Sequence, residues 1–357
     1  THPETPEALR AYNRAHSNVA HLCSLVASLV MLALALSYAI FGANPVVQAL
    51  FLGVKATVVI IVLQALLKVA GKAFKTPLEW AIAAFAFLSL FAIGLPYPLV
   101  ITIAALAGLW LAKGDGTTPP APPPLQPLRT ALTIAIGLAL WAAPILLAMA
   151  ANQTLLTEIG LFFSKLAVVT FGGAYAVLGY MTQEVVQDYG WLTTAEMMDG
   201  LGLAETTPGP LILVSQFVGT LATHKDGGIG LAIVGSALTL WVTFVPCFLW
   251  IFAGAPYVEW LTHQPRLQGA LSGITAAVVG VIAHLSLWFA FHVFFTDLNT
   301  LSFGSLSMTL PVLSSIHWIP TALAAVAAYL LLWRKLSLPT VLLLLAVAGA
   351  GLLGFTV

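Results

Sequence analysis

The chain has 357 residues, 60% of them hydrophobic and 7% charged, with 13 Lys and Arg balanced by 13 Asp and Glu. A soluble domain carries roughly 25% charged residues, so this composition excludes a soluble fold and describes a helical integral membrane protein. The scattered cations make no basic face for nucleic acid, and the long apolar runs lack the roughly ten-residue alternation of an outer-membrane barrel.

The first 21 residues are polar, with Glu4, Glu7, Arg10, Asn13 and Arg14. Apolar stretches of membrane-crossing length then fall near 22–42, 46–67, 78–95 and 97–112. Lys55 lies nine residues into the second of these, about 13 Å deep at about 1.5 Å per residue. That depth is too great for comfortable snorkelling, so a cavity-facing role is expected. Lys68, Lys72 and Lys75 follow the same stretch and mark a cytoplasmic loop by the positive-inside rule. From Gly114 to Leu128 the prolines Pro119, Pro120, Pro122, Pro123, Pro124 and Pro127 forbid a continuous helix and predict a stiff extended cytoplasmic linker. The linker divides the chain into a first membrane half, 1–113, and a second, 129–357.

The second half opens with an apolar stretch at 129–150 and ends with four more, near 228–253, 266–293, 316–333 and 337–356. Between them lie two that are interrupted, about 159–181 and 203–224. The first contains Thr170-Phe171-Gly172-Gly173, and the second Glu205-Thr206-Thr207-Pro208-Gly209-Pro210. Proline lacks an amide donor and glycine weakens a helix, so each break leaves backbone groups unpaired unless they face a cavity or a solute. Broken helices in lipid point to a binding site. Pro210 is placed as a first helical residue, so the amides after it would present a positive helix end to an anion.

The two halves resemble each other. Gln48, Gly53, Ala56, Val58 and Val59 recur 220 residues later as Gln268, Gly273, Ala276, Val278 and Val279. The loop after 266–293 has Asp297 where its counterpart has three lysines, and Arg334 and Lys335 mark a cytoplasmic turn whose counterpart at 94–98 is uncharged. Equivalent loops therefore fall on opposite sides of the membrane, which predicts an all-α polytopic fold of two inverted-topology repeats, an arrangement of secondary transporters. Laid on this repeat, the break-bearing segment would have its partner before Thr1, so the first half is expected to be truncated or altered at its start.

Phe163, Lys165, Thr170 to Gly173, Tyr175, Tyr180, Glu184, Gly190-Trp191-Leu192-Thr193, Glu205 to Pro210, Gln216-Phe217 and Gly219 form an ordered set across 160–220. This set resembles the second-half signature of the chromate ion transporter family. The first-half signature of that family, a Phe-Gly-Gly-Pro pattern with its own Pro-Gly-Pro, is absent, and Ala174 follows Gly173 where that pattern has Pro. The resemblance implies a multi-pass protein of the bacterial inner membrane, built of two oppositely oriented halves and moving chromate outward, with sulfate the chemically similar substrate. A homodimer is one assembly compatible with it.

A site for a tetrahedral dianion in low dielectric needs helix ends, one or two cations and several donors rather than a full cage of opposite charge. Candidate substrate-binding residues are Lys165, Thr170, Gly172, Gly173, Thr206, Thr207, Gly209, Gln216 and Lys55, with Pro208 and Pro210 as the breaks. Lys165 can instead snorkel towards Glu158, and the hydroxyls, Ser215 included, can bond back to their own helices. Gln216 can equally pack helices. Glu205 is suited to carry a coupled proton, the alternatives being a cap or an ion-pair partner for Lys165. Glu184, Asp188, Glu196 and Asp199, in the polar connection 183–200, read as a solvated face with gating as the lesser reading. Cys23 and Cys247 read as small buried hydrophobes. The histidines show no paired ligand spacing, and neither a phosphate loop nor a nucleophile elbow occurs, so no metal, cofactor or enzymatic activity is expected. The main reading is a secondary carrier working by alternating access. A sulfate or other oxyanion transporter and a passive anion channel remain as alternatives.

Overall fold

The computed structural model describes residues 25–111, 127–169, 173–207, 209–303 and 306–352. It is a helical, multi-pass membrane protein. Among the described residues four helices are long and apolar enough to cross a bilayer, Pro45–Ala73, Pro127–Ala150, Leu211–Gly254 and Pro265–Phe294, with five shorter apolar ones beside them. Large apolar side chains point outward, as lipid requires: Leu128 and Leu147 on Pro127–Ala150 are 84% and 70% exposed.

Helix α1 (Leu25–Phe41) precedes α2 (Pro45–Ala73), which is started by Pro45 and by the Asn44 side chain accepting from the Val46 amide. Helix α3 (Pro77–Leu88) is capped by Glu79, whose carboxylate accepts from the amides of Lys75 and Thr76 and from the Ser272 hydroxyl. A wider π turn, Ser89–Ile93, ends it at Gly94, where φ is 69°. Helix α4 (Tyr97–Leu111) closes the first half. The linker expected at 114–128 lies outside the described residues except for Pro127 and Leu128, which open α5 (Pro127–Ala150).

Two helical hairpins follow, each bent at one of the sequence breaks. Helix α6 (Thr154–Val169) is followed by α7 (Ala174–Thr182), which continues as a π turn, Gln183–Asp188. They lie side by side, with the Phe162 ring against the rings of Tyr180, Tyr189 and Trp191. Helix α8 (Thr194–Thr206) and the first limb of α9 (Val214–Gly254) form the other, Phe217 lying where a Cβ on Gly200 would stand. Lys225 ties the open end of this hairpin to Glu196 at 2.7 Å. Helix α9 then breaks at Gly227 and Gly228, the latter with φ 71° and ψ −161°, a conformation glycine adopts without penalty.

After the short α10 (Val258–Thr262) come α11 (Pro265–Phe294), a two-stranded antiparallel hairpin of β1 (Leu298–Phe303) and β2 (Leu306–Pro311), α12 (Trp318–Ala328) with a π turn at Tyr329–Trp333, and α13 (Leu338–Gly351). The β-hairpin is an addition to the all-helical expectation for this stretch.

Close packing at the centre depends on glycine. A Cβ on Gly53 of α2 would strike the Leu345 carbonyl of α13, and one on Gly349 the Ala49 carbonyl. A Cβ on Gly273 of α11 would strike the Ala104 carbonyl of α4, and one on Gly108 the Gly269 carbonyl. Small residues at these crossings let backbones approach in a way lipid-soluble helices commonly use. Helix α2 thus packs on α13 and α12, while α11 packs on α4 and α3. Cys247, expected to be buried, instead lies exposed on α9, its thiol donating to the Thr243 carbonyl.

Candidate functional site

The two breaks meet. Tyr175, in the first turn of α7, donates its hydroxyl to Glu205 Oε1 at 2.6 Å, and Glu205 lies in the last turn of α8. Beside this bond, α7 begins at Gly173, whose φ of 106° is open to glycine and strained for other residues. Across it, Gly209 and Pro210 lead into the 3₁₀ turn Leu211–Leu213 and the first limb of α9. Two helix N-termini therefore start within one neighbourhood, and the first amides of each lack intrahelical acceptors. Gly173, Gly209 and Pro210 are all exposed, so these ends are not sealed by protein. Thr170, Gly172 and Pro208, also expected here, lie outside the described residues.

The hydroxyls beside the breaks are partly committed. Thr206 and Thr207 both donate to the Leu203 carbonyl, at 2.8 and 2.9 Å, and Ser215 donates to the Ile212 carbonyl at 2.7 Å. Expected as donors to a ligand, they bond back to their own helices, as hydroxyls one turn beyond a helix carbonyl commonly do, and the Leu203 carbonyl also accepts from the Thr207 amide at 3.1 Å. Their oxygen lone pairs remain available. Gln216 is buried, its amide donating to the Ser28 carbonyl of α1 and to Ser236 Oγ. In this conformation it packs helices rather than facing a ligand.

The expected cations do not converge on the breaks. Lys165 stands over the Tyr180 ring, 5.3 Å from its centre, and 3.5 Å from Glu184. Its ion partner is thus Glu184, not Glu205, and Glu184 is no simple solvated residue. Lys55 is bound elsewhere again. Its ammonium lies 3.3 Å from Asp199 Oδ2, and the same oxygen accepts the Tyr38 hydroxyl at 2.7 Å.

Asp199 corrects the sequence reading most sharply. Expected on a solvated face, it is 0% exposed, one and a half turns into α8 between Met198 and Gly200, and its Oδ1 has no hydrogen-bond partner among the described residues. An isolated buried carboxylate would be prohibitively costly, which is why Lys55 from α2 and Tyr38 from α1 are brought to it. The available signal was its setting: a lone carboxylate inside Met197-Met198-Asp199-Gly200-Leu201.

Lys55 also lines a cavity of about 220 Å³ with Thr194, Ala195 and Met198 of α8, His292 and Val293 of α11, and His317 and Pro320 at the start of α12. A second cavity, about 160 Å³, is lined by Gln183, Gln187, His284, His292 and Thr309 among others. His292 borders both. Sequence reasoning passed over these histidines because it sought metal-ligand spacing, whereas His284 and His292 are two turns apart on α11 and His317 comes from the residue before α12.

A family model described as "Chromate transporter" matches residues 16–109 and 157–354. The chain is 31% identical over 333 residues to a chromate transport protein of Cupriavidus metallidurans, covering 91% of this chain and 71% of that one. It is 26% identical over 326 residues to a probable chromate transport protein of Synechococcus elongatus, covering 90% and 73%. A chromate transport protein of Pseudomonas aeruginosa is 30% identical over 259 residues, covering 71% and 58%. No solved structure matches the chain.

Proposed function

Because this chain belongs to the chromate transporter family, we propose that it carries chromate outward across the bacterial inner membrane, as a secondary carrier working by alternating access. Sulfate, the same shape and charge, is the natural competitor. The observation that carries this reading is the Tyr175–Glu205 bond, which holds the two helix breaks side by side. A dianion there would meet the positive ends of α7 and α9 with no need for a full cage of cations, and the Thr206 and Thr207 hydroxyls would donate to it on turning away from the Leu203 carbonyl. An ionised Glu205 would repel the same guest, so we assign it the coupled proton: neutral while the anion passes, ionised afterwards. Thr170, Gly172, Gly173, Thr206, Thr207 and Gly209 form the surroundings of the passing anion in this scheme. Lys165 and Gln216 act one layer out, and Lys55 at a separate point.

The packing of the halves supports alternating access between inverted repeats of 1–113 and 129–357. Gly53 and Ala49 of α2 have the repeat positions Gly273 and Gly269 in α11. The residues they touch, Leu345 and Gly349 in one case and Ala104 and Gly108 in the other, are separated by a common 241 residues. The starts of α3 and α12, Pro77 and Trp318, show the same separation, so the excess over 220 lies in the connection before α12 that carries the β-hairpin. Lys68 and Lys72 in the last turns of α2 with Lys75 just beyond it, and Arg334 and Lys335 after α12, favour a cytoplasmic position for those ends. The two broken hairpins then open towards the other side, with their tips in the membrane interior.

The test is chromate accumulation in cells expressing the parent, Tyr175→Phe, Thr207→Val or Lys165→Ala. Loss of a hydrogen bond to a charged group is worth about 1.5–3 kcal/mol, so Tyr175→Phe should slow efflux roughly tenfold or more, raising accumulation towards that of cells lacking the protein. If all three variants, present in the membrane at normal level, behave like the parent, the reading fails.

A further inference from the structure

We propose that the cavity beside Lys55 is an oxyanion-loading station, in which the anion and Asp199 compete for the Lys55 ammonium and Asp199 takes up a proton when it loses. The inference rests on the oxyanion-carrier reading and adds to it a second site, separate from the helix breaks. Three observations carry it. Lys55 faces two ways, its ammonium 3.3 Å from Asp199 Oδ2 while its side chain lines a cavity of about 220 Å³. Asp199 is 0% exposed and has one oxygen already without a hydrogen-bond partner. The lining of the cavity also includes His292 and His317, and Thr194 adds a hydroxyl. Thr194 and His317 can donate to an oxyanion, whereas His292 already gives its Nδ1 hydrogen to the Trp288 carbonyl and serves as wall.

The groups around Asp199 make the exchange one-for-one. From α1 comes only the neutral Tyr38, and from α2 only Lys55. Helix α13 has no titratable residue. Helix α9 brings His224, Lys225 and Asp226 at the open end of its first limb, where Lys225 is taken by Glu196. Glu196, one turn earlier on α8, adds negative potential. Lys55 is thus the cation that neutralises Asp199. If the ammonium turns to a dianion in the cavity, the carboxylate is left buried without a counter-charge, a state that binding a proton removes. The proton comes from water in the cavity, Asp199 becomes a neutral acid that can still hydrogen-bond Tyr38, and Lys55 stays protonated throughout. Charge balances: one dianion and one proton enter together, and the same step run backwards expels both.

The experiment is calorimetric titration of the purified full-length chain with chromate, in mildly alkaline buffers of differing ionisation enthalpy, which counts protons taken up per anion bound. The parent should take up about one proton per chromate at this site. Asp199→Asn should bind chromate while taking up at least about half a proton less. Lys55→Ala should bind at least about tenfold more weakly. Should Asn at 199 compromise folding, Tyr38→Phe serves: it removes a donor to the ionised carboxylate and should move the proton uptake to higher pH. Equal proton uptake in the parent, Asp199→Asn and Tyr38→Phe, or unweakened binding in Lys55→Ala, overturns the station while leaving chromate transport standing. A parent that binds neither chromate nor sulfate overturns the carrier reading along with it.

Discussion

At the scale of single residues, the chain places its few buried polar groups where two helices need fastening or a ligand needs meeting. Gln216 is of the first kind, joining α9 to Ser28 of α1 and to Ser236. Gln216→Leu keeps the volume but leaves the Ser28 carbonyl short of that donor, so it should lower stability by about 1–3 kcal/mol, read as an earlier thermal transition in detergent; an unchanged transition would deny the fastening role. Lys55 was legible as special, because a lysine at that depth in an apolar helix requires a partner or a cavity, and it has both. Its partner was not. Asp199 lies among carboxylates that look like a surface in one dimension, and only the fold turns that side of α8 inward. The break residues were legible for a simpler reason, since proline and glycine act on the local backbone whatever packs around them. The direction of their hydroxyls was settled by carbonyls one turn back, at Leu203 and Ile212.

At the scale of elements, the apolar stretches read from sequence fall on the observed helices. Interior lengths were legible because lipid demands continuous apolar helix, but the ends depend on local caps such as Asn44, Glu79 and Gly94. The β1–β2 hairpin went unread because it is short and rich in Ser and Thr and falls between apolar runs of membrane length, although Gly304-Ser305 between its strands is a turn signal. Helix contacts give the clearest element-level prediction. Gly53→Val and Gly273→Val each force a side chain into a facing backbone carbonyl, which cannot yield as a flexible side chain can. Each should lower stability by about 1–3 kcal/mol or more. Gly71→Ala, on the same helix α2 with nothing within 4 Å of the added carbon, should be neutral or stabilising by about 0.5–1 kcal/mol. Thermal unfolding of the three variants checks this, and equal effects would remove the close-approach explanation.

At the scale of the whole molecule, the proposed carrier is a pair of halves whose equivalent helices run in opposite directions around two inward-dipping hairpins. Charge in the loops was enough to suggest the opposition, because lysine and arginine bias orientation strongly and few are present. The meeting of the two breaks was beyond sequence, since Tyr175 and Glu205 are thirty residues apart and nothing in one dimension pairs them. The orientation itself is testable. In a background without Cys23 and Cys247, Lys72→Cys and Arg334→Cys should react with an impermeant thiol reagent only from the cytoplasmic side, and Asn299→Cys only from the other. Labelling of all three from one side would dismantle the inverted arrangement.

The central claim, that chromate passes where the two broken hairpins touch, is tested most directly by flux of labelled chromate in vesicles reconstituted with the purified chain. The account predicts saturable flux in the parent, inhibited by sulfate, responsive to a proton gradient, and cut roughly tenfold or more in Tyr175→Phe and in Glu205→Gln. Flux in the parent no faster than in protein-free vesicles, or flux unaltered by both substitutions, would contradict it.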